Sequence, residues 1–484
     1  MLLALVVVYL VFSIAIGLFA ARKVHSASDY ITAGRSLPMP MVMAMVFATW
    51  FGAETVLGIS ATFLDEGFRG LISDPLGASV CLVLFGLVFA LPLYRLQLMT
   101  LGDFFHIRYN RKTELVLSSC IVLSYLGWVS AQVTALGLVF NVLSDGGVSV
   151  TQGMLIGSAV VLAYTLFGGM WSVAVTTCVQ MVIIVIGLLL VTMNASTMAG
   201  GMSEVIGRAA AQGKFDWLPS LDMIDMLGWL AALFTMALGS IPQQDVFQRV
   251  NTSKNEKVAV WATTFGGLSY FFFAAVPLYL AYSASLIDPA QTAQLMAEDS
   301  QLVLPTFVAT HMPFWLQAVF FGALLSVIMS TASSTLLAPS VTFTENVLKN
   351  FRPGMTDDQL LRATRLTVFG FTLLVVANAT LSNASIHAMV ENAYRITLAG
   401  VFVPLTAGLF WRRASNLGAA LSISLGLGSW LILEVFFAEL PFEPQLIGLA
   451  LSLLGMVVGS YARPNPHVEH PHGISEIVRA EAAR

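Results

Sequence analysis

Hydroxyl side chains are concentrated in one short stretch of an apolar sequence, Val327–Thr335, where five of the last six residues are Ser or Thr. Residues three and four positions apart share one face of a helix, so the carbonyl of Val327 and the hydroxyls of Ser330 and Thr331 point to one place. Neutral oxygens of this kind suit a hard cation such as sodium that must be released again. The alternative is that these hydroxyls bond carbonyls of their own helix or join neighbouring helices.

An ionisable carboxyl group lies beside a glycine in an earlier apolar stretch, which runs Ala48-Thr49-Trp50-Phe51-Gly52-Ala53-Glu54-Thr55. A charge at the centre of a membrane helix costs about 2.5–3.5 kcal/mol or more, so Glu54 should face a cavity or a partner. Three roles stay open for Glu54: contact with a solute, structural pairing with a basic residue such as Arg395, or proton coupling.

A second interruption follows at Gly239-Ser240-Ile241-Pro242-Gln243-Gln244, where proline removes a backbone donor. Unpaired backbone groups survive at that depth only where protein, water or ligand satisfies them. The two breaks lie five predicted helices apart in a ten-helix core, 39–410, and such pairing is the pattern of an inverted-repeat transporter with a midplane site. The alternative is a pair of ordinary kinks. Because two breaks and a hydroxyl cluster occur together, we favour a site that binds an ion and a solute.

The composition excludes a soluble protein. Of 484 residues, 57% are hydrophobic and 10% are charged, with a mean hydropathy of +0.82, whereas soluble domains carry roughly a quarter charged residues. A formal net charge of −4 gives no basic surface for nucleic acid. Cys81, Cys120 and Cys178 fall in apolar runs without metal-type spacing, and neither a nucleophile–base pair nor an obligate protein partner is evident. The chain is therefore predicted to be a polytopic membrane protein and not an enzyme.

Apolar runs of about 20 residues recur along the chain, separated by short polar segments. We predict thirteen spans: 2–21, 39–63, 75–94, 113–143, 151–166, 172–193, 226–249, 257–283, 314–347, 366–382, 388–410, 417–438 and 445–461. With the N-terminus outside, 19 of the 23 Lys and Arg residues fall in inner segments and three in outer ones. Since cytoplasmic loops carry the basic excess, this split predicts an outer N-terminus and a cytoplasmic C-terminus in the cell (inner) membrane.

The chain resembles the sodium:solute symporter family from Asp29 to about Arg413. The likeness rests on Met329-Ser330-Thr331 with Ser333-Ser334, which is similar to the ion-binding helix of the proline symporters, and on Gln244-Asp245-Val246-Phe247-Gln248-Arg249. The resemblance implies an all-α, LeuT-type bundle of two inverted five-helix repeats. It also implies a sodium site built from the carbonyls of Ala48, Phe51 and Val327 and the hydroxyls of Ser330 and Thr331.

The resemblance divides the chain into six parts. They are an extra N-terminal helix and loop (1–38), the first repeat (39–193), an outer loop (194–225), the inverted second repeat (226–410), two further helices (411–461) and a cytoplasmic tail (462–484). The histidines of that tail most simply belong to a solvated end.

A second sodium site in this family commonly uses Asp in a Thr-Asp-x-x-Gln pattern, but this chain has Thr176-Thr177-Cys178-Val179-Gln180. Thr177 therefore stands where the carboxylate would be. Ser333 and Ser334 match the remaining ligands, so we expect at most a weak second ion site. One coupled sodium per cycle is predicted.

The likeness extends to the choline transporter branch through Ala48-Thr49-Trp50 and through Gly239–Arg249. Trp50 and Trp128 match positions of an aromatic cage for a quaternary ammonium, which ring faces attract. The cage is incomplete, because Gln243 and Ala78 replace an expected Trp and Tyr. Asp74, ahead of Pro75, is interpreted mainly as a helix-start residue, although it could attract cations.

We therefore predict a sodium-coupled symporter that works by alternating access and imports an amine, a quaternary ammonium compound or an amino acid such as proline. Its candidate solute contacts are Trp50, Glu54, Thr55, Trp128, Gln243 and Gln244. The alternatives are a sodium-coupled sugar or carboxylate symporter, in which Glu54 accepts hydroxyl groups, and a sensor on a transporter scaffold.

Overall fold

The computed structural model describes residues 2–352, 354–382, 384–437, 440 and 443–464. These residues are almost entirely helical, with one isolated bridge between Leu37 and Ser253. The helices are α1 (Leu2–Ala20), α2 (Ala27–Thr32), α3 (Met39–Trp50), α4 (Ile59–Glu66), α5 (Ala78–Leu84), α6 (Ala90–Arg95), α7 (Leu101–Arg108), α8 (Arg111–Leu143), α9 (Val150–Met198), α10 (Met202–Ala211), α11 (Met223–Ala237), α12 (Gln244–Asn251), α13 (Glu256–Ile287), α14 (Pro289–Glu298), α15 (Val303–His311), α16 (Phe314–Thr342), α17 (Lys349–Phe351), α18 (Asp357–Leu381), α19 (Ile386–Gly400), α20 (Phe402–Phe410), α21 (Asn416–Phe436) and α22 (Pro444–Ala462).

The predicted count of thirteen spans is not confirmed. In the part of the chain that the structure describes, nine helical segments are long and apolar enough to cross a membrane, or ten when α19 and α20, which meet at 46°, count as one. Two of the nine contain a non-helical residue, Asp74 (φ −140°, ψ 126°) or Gly169 (φ 48°, ψ −137°). These residues lie between predicted spans that the structure joins. The apolar helices α3 and α11 are too short to cross alone. The predicted tail lies outside the described residues beyond 464.

Short polar side chains mark where several long helices begin. Asn110, Ser149, Asn255 and Thr356 each accept a hydrogen bond from the backbone N–H three residues later. Such caps satisfy one of the amide groups that the first helical turn leaves free. Each cap therefore fixes the residue at which one of these long helices begins.

The predicted break within the second span, 39–63, is present at the end of α3. The helix ends at Trp50, Phe51 is non-helical (φ −73°, ψ 76°), and the chain resumes as a π-helical turn, Glu54–Gly58, that leads into α4. The amide N–H of Ala53 donates to Oε1 of Gln132 on α8 at 3.0 Å. The Thr55 hydroxyl donates to the carbonyl of Trp50 at 2.8 Å. Side chains thus replace hydrogen bonds that the helix loses, which is what a break at this depth requires.

The second predicted break is also present. Helix α11 ends at Ala237 and α12 begins at Gln244. The carbonyl of Gly239 accepts a hydrogen bond of 2.6 Å from the hydroxyl of Thr397 on α19. A Cβ atom on Gly239 would lie 2.6 Å from the carbonyl oxygen of Tyr394. The absence of a side chain therefore allows the broken segment to lie directly against α19.

The long helices α8, α9, α16 and α19 form the centre of the bundle around both breaks. Helix α1 packs against α9, and α21 pairs with α22 beside α19. Large apolar side chains such as Val8, Phe19, Phe272 and Leu366 are exposed on the outside. Such a surface suits contact with lipid rather than water. The polar residues of the two breaks lie inside.

We expect Gly239→Ala to lower the melting temperature by several degrees. The added methyl group meets the backbone of α19, and overpacking of this kind costs about 1–3 kcal/mol. Gly370→Ala is the matched control, because open space surrounds that glycine on α18. The control should leave the melting temperature unchanged or raise it. Equal melting temperatures for both variants would contradict the close contact between the break and α19.

Candidate functional site

The first break contacts the hydroxyl cluster of α16. The Thr331 hydroxyl lies 3.1 Å from the carbonyl oxygen of Ala48 and 3.4 Å from that of Phe51. The neighbouring Ser330 hydroxyl donates to the carbonyl of Val327 at 2.9 Å. All five residues are buried. The structure therefore brings three of the five predicted sodium ligands, Ala48, Phe51 and Thr331, to one junction between α3 and α16. The other two are bonded to each other within α16.

The spacing of these oxygens suits a small cation. Oxygens that bind a hard cation such as Ca²⁺ at about 2.3–2.6 Å lie roughly 3–3.5 Å from one another. The contacts of Thr331 with the broken helix fall in that range. Each oxygen is neutral, so the ligands would not neutralise the charge of a bound cation. The cation would therefore bind weakly enough to be released.

Both interpretations of the hydroxyl cluster find a counterpart here. Ser333, Ser334 and Thr335 donate to carbonyls of their own helix, the alternative stated above. Thr331 instead reaches across to α3. A Cβ atom on Gly52 would lie 3.0 Å from the hydroxyl oxygen of Thr331. Because glycine has no side chain, the break can approach Thr331 this closely. Thr331 therefore links the break to the cluster.

The three residues predicted for a weak second ion site are neutral. Thr177 on α9 is fully buried, and its hydroxyl has no hydrogen-bond partner among the described residues. Ser333 and Ser334 both contact the carbonyl of Ser330. No carboxylate is placed among these three hydroxyls by the described contacts. A cation would therefore find no opposite charge there.

Trp128 belongs to a group of three aromatic rings. Its ring stacks on Tyr125 at 5.7 Å between centroids and meets Tyr394 edge to face at 5.5 Å. Trp50 is buried, and its indole N–H has no partner among the described residues. Sequence reasoning missed Tyr125 and Tyr394. Tyr125 lies three residues before Trp128, a spacing that places both on one helical face.

The two glutamines of the second break differ in their contacts. Gln243 donates from Nε2 to the hydroxyl of Ser124 at 3.3 Å, and its Oε1 has no partner among the described residues. Gln244 is bound at both ends of its amide group to the backbone of Leu101 and Met99. Gln244 thus anchors α12 to the loop before α7, and we leave it out of the solute site.

Glu54 pairs with a residue that sequence reasoning missed. Its Oε1 lies 3.2 Å from Nδ1 of His387, the second residue of α19. The suggested partner, Arg395, lies elsewhere: it bonds to Glu434 at 3.2 Å, Glu443 at 3.3 Å and Glu391 at 3.5 Å. The interpretation of Glu54 as a partner of Arg395 is therefore wrong. The sequence does contain a signal for a polar face on this helix, since His387, Glu391 and Arg395 are spaced four residues apart.

Asp74 contacts the same region from the segment before α5. Its carboxylate accepts a hydrogen bond from the hydroxyl of Tyr270 on α13, which lies 3.0 Å from the hydroxyl of Thr55. Asp74 has an extended backbone (φ −140°, ψ 126°) directly before Pro75, where the helix resumes, so its position fits a helix-start residue. Its carboxylate is bonded to Tyr270. Asp74 is 1% exposed and Glu54 is 4% exposed. Two buried carboxyl groups therefore lie near the first break.

A second polar network lies around the start of α12. The Tyr125 hydroxyl donates to Asp245 and accepts from its amide N–H at 2.9 Å. Arg249, one turn further along α12, is fully buried and donates to the carbonyl of Met45. These contacts tie α12 to α8 and α3 below the breaks.

The comparisons identify the family. The sequence model of the sodium:solute symporter family matches residues 30–426, and the chain belongs to that family. The High affinity choline transporter 1 of Homo sapiens is 26% identical over 88% of this chain and 75% of its own length. The High-affinity proline transporter PutP of Bacillus subtilis is 24% identical over 91% and 94%, and the Sodium/glucose cotransporter of Vibrio parahaemolyticus is 23% identical over 97% and 91%.

Solved structures agree in fold. A substrate-bound, outward-open Na⁺-coupled sialic acid symporter aligns with a TM-score of 0.83 at 19% identity, over 97% of this chain and 99% of that one. Inward-facing Mhp1 aligns with a TM-score of 0.53 at 12% identity, over 91% and 94%. The predicted all-α, LeuT-type fold is confirmed. The chain is a multi-pass membrane transporter, not an enzyme, and couples sodium to the transport of a small solute.

We expect Thr331→Ala to raise the sodium concentration for half-maximal transport at least about tenfold. The loss of one oxygen that bonds a charged ligand costs about 1.5–3 kcal/mol. The control is Thr342→Ala, because the hydroxyl of Thr342 bonds the carbonyl of Ala338 in the same helix. Uptake measured against external sodium decides. Unchanged sodium dependence in Thr331→Ala, and in the Ser330→Ala, Thr331→Ala double variant, would place the ion elsewhere.

Proposed function

We propose that the solute carries an ammonium group, as an amine, a quaternary ammonium compound or an amino acid such as proline does, and that Glu54 receives this group. The observation that carries the proposal is the charge around the first break. Glu54 and Asp74 are buried there, and the nearby base is His387, which is charged only when protonated. Two buried carboxyl groups there share this one base among the described residues, and a buried carboxylate without a counter-charge is costly, so the site favours a cation.

The aromatic rings support the same solute class. A cation over the face of a Trp or Tyr ring gains about 0.5–2 kcal/mol, more where water is excluded. Trp128, Tyr125 and Tyr394 form one buried group. Trp50 is the last residue of α3, directly before the break that leads to Glu54. Gln243 supplies a free amide oxygen. Among the relatives reported above, the names of two give choline and proline, while a third gives glucose.

A sugar is the second candidate. The indole N–H of Trp50 and Oε1 of Gln243 are buried without partners, and hydroxyl groups of a sugar could satisfy both. Glu54 would then accept a hydroxyl hydrogen rather than pair with a charge. Binding of a neutral sugar would tolerate Glu54→Gln better than binding of a cation, which separates the two candidates.

Sodium couples to the solute through the first break. Ala48, Phe51 and Thr331 would hold the ion on one side, while Glu54 follows the break by three residues. An ion that pulls the break against α16 would also fix the turn that carries Glu54. The bundle then rocks so that the filled site opens inward. One sodium supplies about 2.3 kcal/mol per 100 mV and about 1.4 kcal/mol per tenfold gradient.

We place the chain in the cell (inner) membrane, with an outer N-terminus and a cytoplasmic C-terminus. The excess of Lys and Arg in the predicted inner segments supports this orientation. It puts Glu54 and His387 on the outer side of the breaks and Asp245 with Arg249 on the inner side. No protein partner is needed by the proposal.

We expect Glu54→Gln to weaken binding of an ammonium solute about thirtyfold or more. Truncation of one partner of a buried charge pair costs about 2–5 kcal/mol. Glu434→Gln is the control, since that carboxylate pairs with Arg395 instead. Sodium-driven uptake into proteoliposomes, with solutes of both classes, measures the effect. Retained affinity in Glu54→Gln would reject Glu54 as the cation receptor.

The stoichiometry of one sodium rests on Thr177. We expect Thr177→Asp to raise the Hill coefficient for sodium from about one toward two, because the carboxylate supplies the missing charge. The neutral variant Thr177→Asn has nearly the same shape and should stay near one. A Hill coefficient near two in the unchanged protein would contradict the predicted stoichiometry.

A further inference from the structure

We propose that His387 is the resident counter-cation of Glu54, and that an ammonium solute displaces its imidazole from this carboxylate. His387 is then a specificity-determining residue: it admits solutes that offer Glu54 a cation in exchange, and it releases a proton as they bind. The inference rests on the proposed function, because it assumes that the solute carries an ammonium group received by Glu54.

The geometry makes the exchange possible. Nδ1 of His387 lies 3.2 Å from Oε1 of Glu54, while the side chain of His387 is 24% exposed and that of Glu54 is 5% exposed. The carboxylate is therefore held inside, and the imidazole lies at the edge, where it can move outward. The β-carbon of His387 also lies 3.6 Å from the position that a Cβ atom on Gly58 would take. Helix α19 thus covers the turn that carries Glu54.

The ionisable groups around His387 are acidic. Glu54, Glu391 on its own helix and Asp74 before α5 all interact with it electrostatically. Arg395 lies two turns further along α19 and is held by Glu391, by Glu434 on α21 and by Glu443 directly before α22. The phenols nearby, which are neutral at physiological pH, belong to Tyr125, Tyr270 and Tyr394.

This arrangement leaves His387 as the one base that faces Glu54 among the described residues. Without solute, a protonated imidazole balances the buried carboxylate. With solute, the ammonium group takes that place, and the imidazole can give up its proton to the outside. The charge beside Glu54 is the same before and after, so the buried carboxylate is never left bare.

A neutral solute cannot make this exchange. A sugar at Glu54 would have to remove the imidazolium without replacing its charge, or bind beside it. The ion pair therefore discriminates against neutral solutes by the cost of an uncompensated buried charge. Discrimination arises from the group that is displaced as well as from the group that binds.

The exchange has a defined pH dependence. When His387 is protonated it competes with the solute, and solute binding then releases one proton. The dissociation constant of an ammonium solute should therefore rise up to tenfold per unit of falling pH while the imidazole is charged. Above the imidazole's titration range the constant should level off.

The experiment measures binding of choline, betaine, proline and putrescine to the full-length purified protein in saturating sodium, from about pH 6 to about pH 9. Glutamine cannot carry a charge, so His387→Gln should bind the ammonium solute with little pH dependence and more tightly than the unchanged protein at low pH. Lysine keeps its charge, so His387→Lys should bind it at least about tenfold more weakly above neutral pH.

His311→Gln is the matched control. His311 also pairs with a carboxylate, Asp288, at 3.2 Å and with a side-chain exposure of 25%, but it lies on α15. This variant should keep the pH profile of the unchanged protein. Stabilisation by sodium alone should be the same in all three variants, which shows that each one is folded and that its ion site is intact.

The outcomes are distinguishable. If His387→Gln keeps the pH dependence of the unchanged protein, or if His387→Lys binds as well as that protein, His387 is not the displaced cation and this inference fails while the proposed function stands. If none of the ammonium solutes binds, or if they bind equally to Glu54→Gln, the proposed function fails and takes the inference with it.

Discussion

The structure depends on the requirement that every backbone hydrogen-bonding group inside a membrane finds a partner. Two helices of the core are broken, and each break leaves amide or carbonyl groups that the helix cannot satisfy. Gln132 and Thr55 supply partners at the first break, and Thr397 supplies one at the second. Carbonyls of Ala48 and Phe51 remain directed at Thr331. The helix itself does not use these oxygens, and this is the basis on which we propose that they coordinate an ion.

Charge is distributed around the first break in a way that separates two tasks. The oxygens on the side of α16 are neutral, which suits an ion that must leave in every cycle. The opposite side holds the two buried carboxyl groups of Glu54 and Asp74. Because Glu54 follows the break by three residues, movement of the break moves the carboxylate as well. In the proposed function, coupling between ion and solute needs no separate element, since one short segment takes part in both proposed sites.

Much of the fold and of the candidate ion site could be predicted from the sequence. The apolar composition, the hydroxyl cluster of Ser330 and Thr331 and the two interruptions each follow from local residue type, and the structure contains both breaks at the expected positions. The partners of Glu54 and Asp74 were not readable, because His387 and Tyr270 lie hundreds of residues away and only the packing of α13 and α19 brings them near. The contacts of Gln244 were not readable for the same reason: its type suits a solute contact, and the structure bonds its amide group to backbone groups of Met99 and Leu101. The predicted number of spans differs from that in the structure partly at Asp74 and Gly169. There the structure joins helical segments that the hydropathy pattern separates.

The central claim is that sodium and an ammonium solute bind together at the first break. The most direct measurement is the melting temperature of the purified protein in sodium or potassium at equal ionic strength, with choline, betaine, proline, putrescine, glucose and a short carboxylate in turn, since a ligand of the native state raises that temperature. The account predicts a rise with one or more of the ammonium solutes in sodium and none of that rise in potassium. A rise with glucose or the carboxylate alone, or an equal rise in both salts, would contradict it.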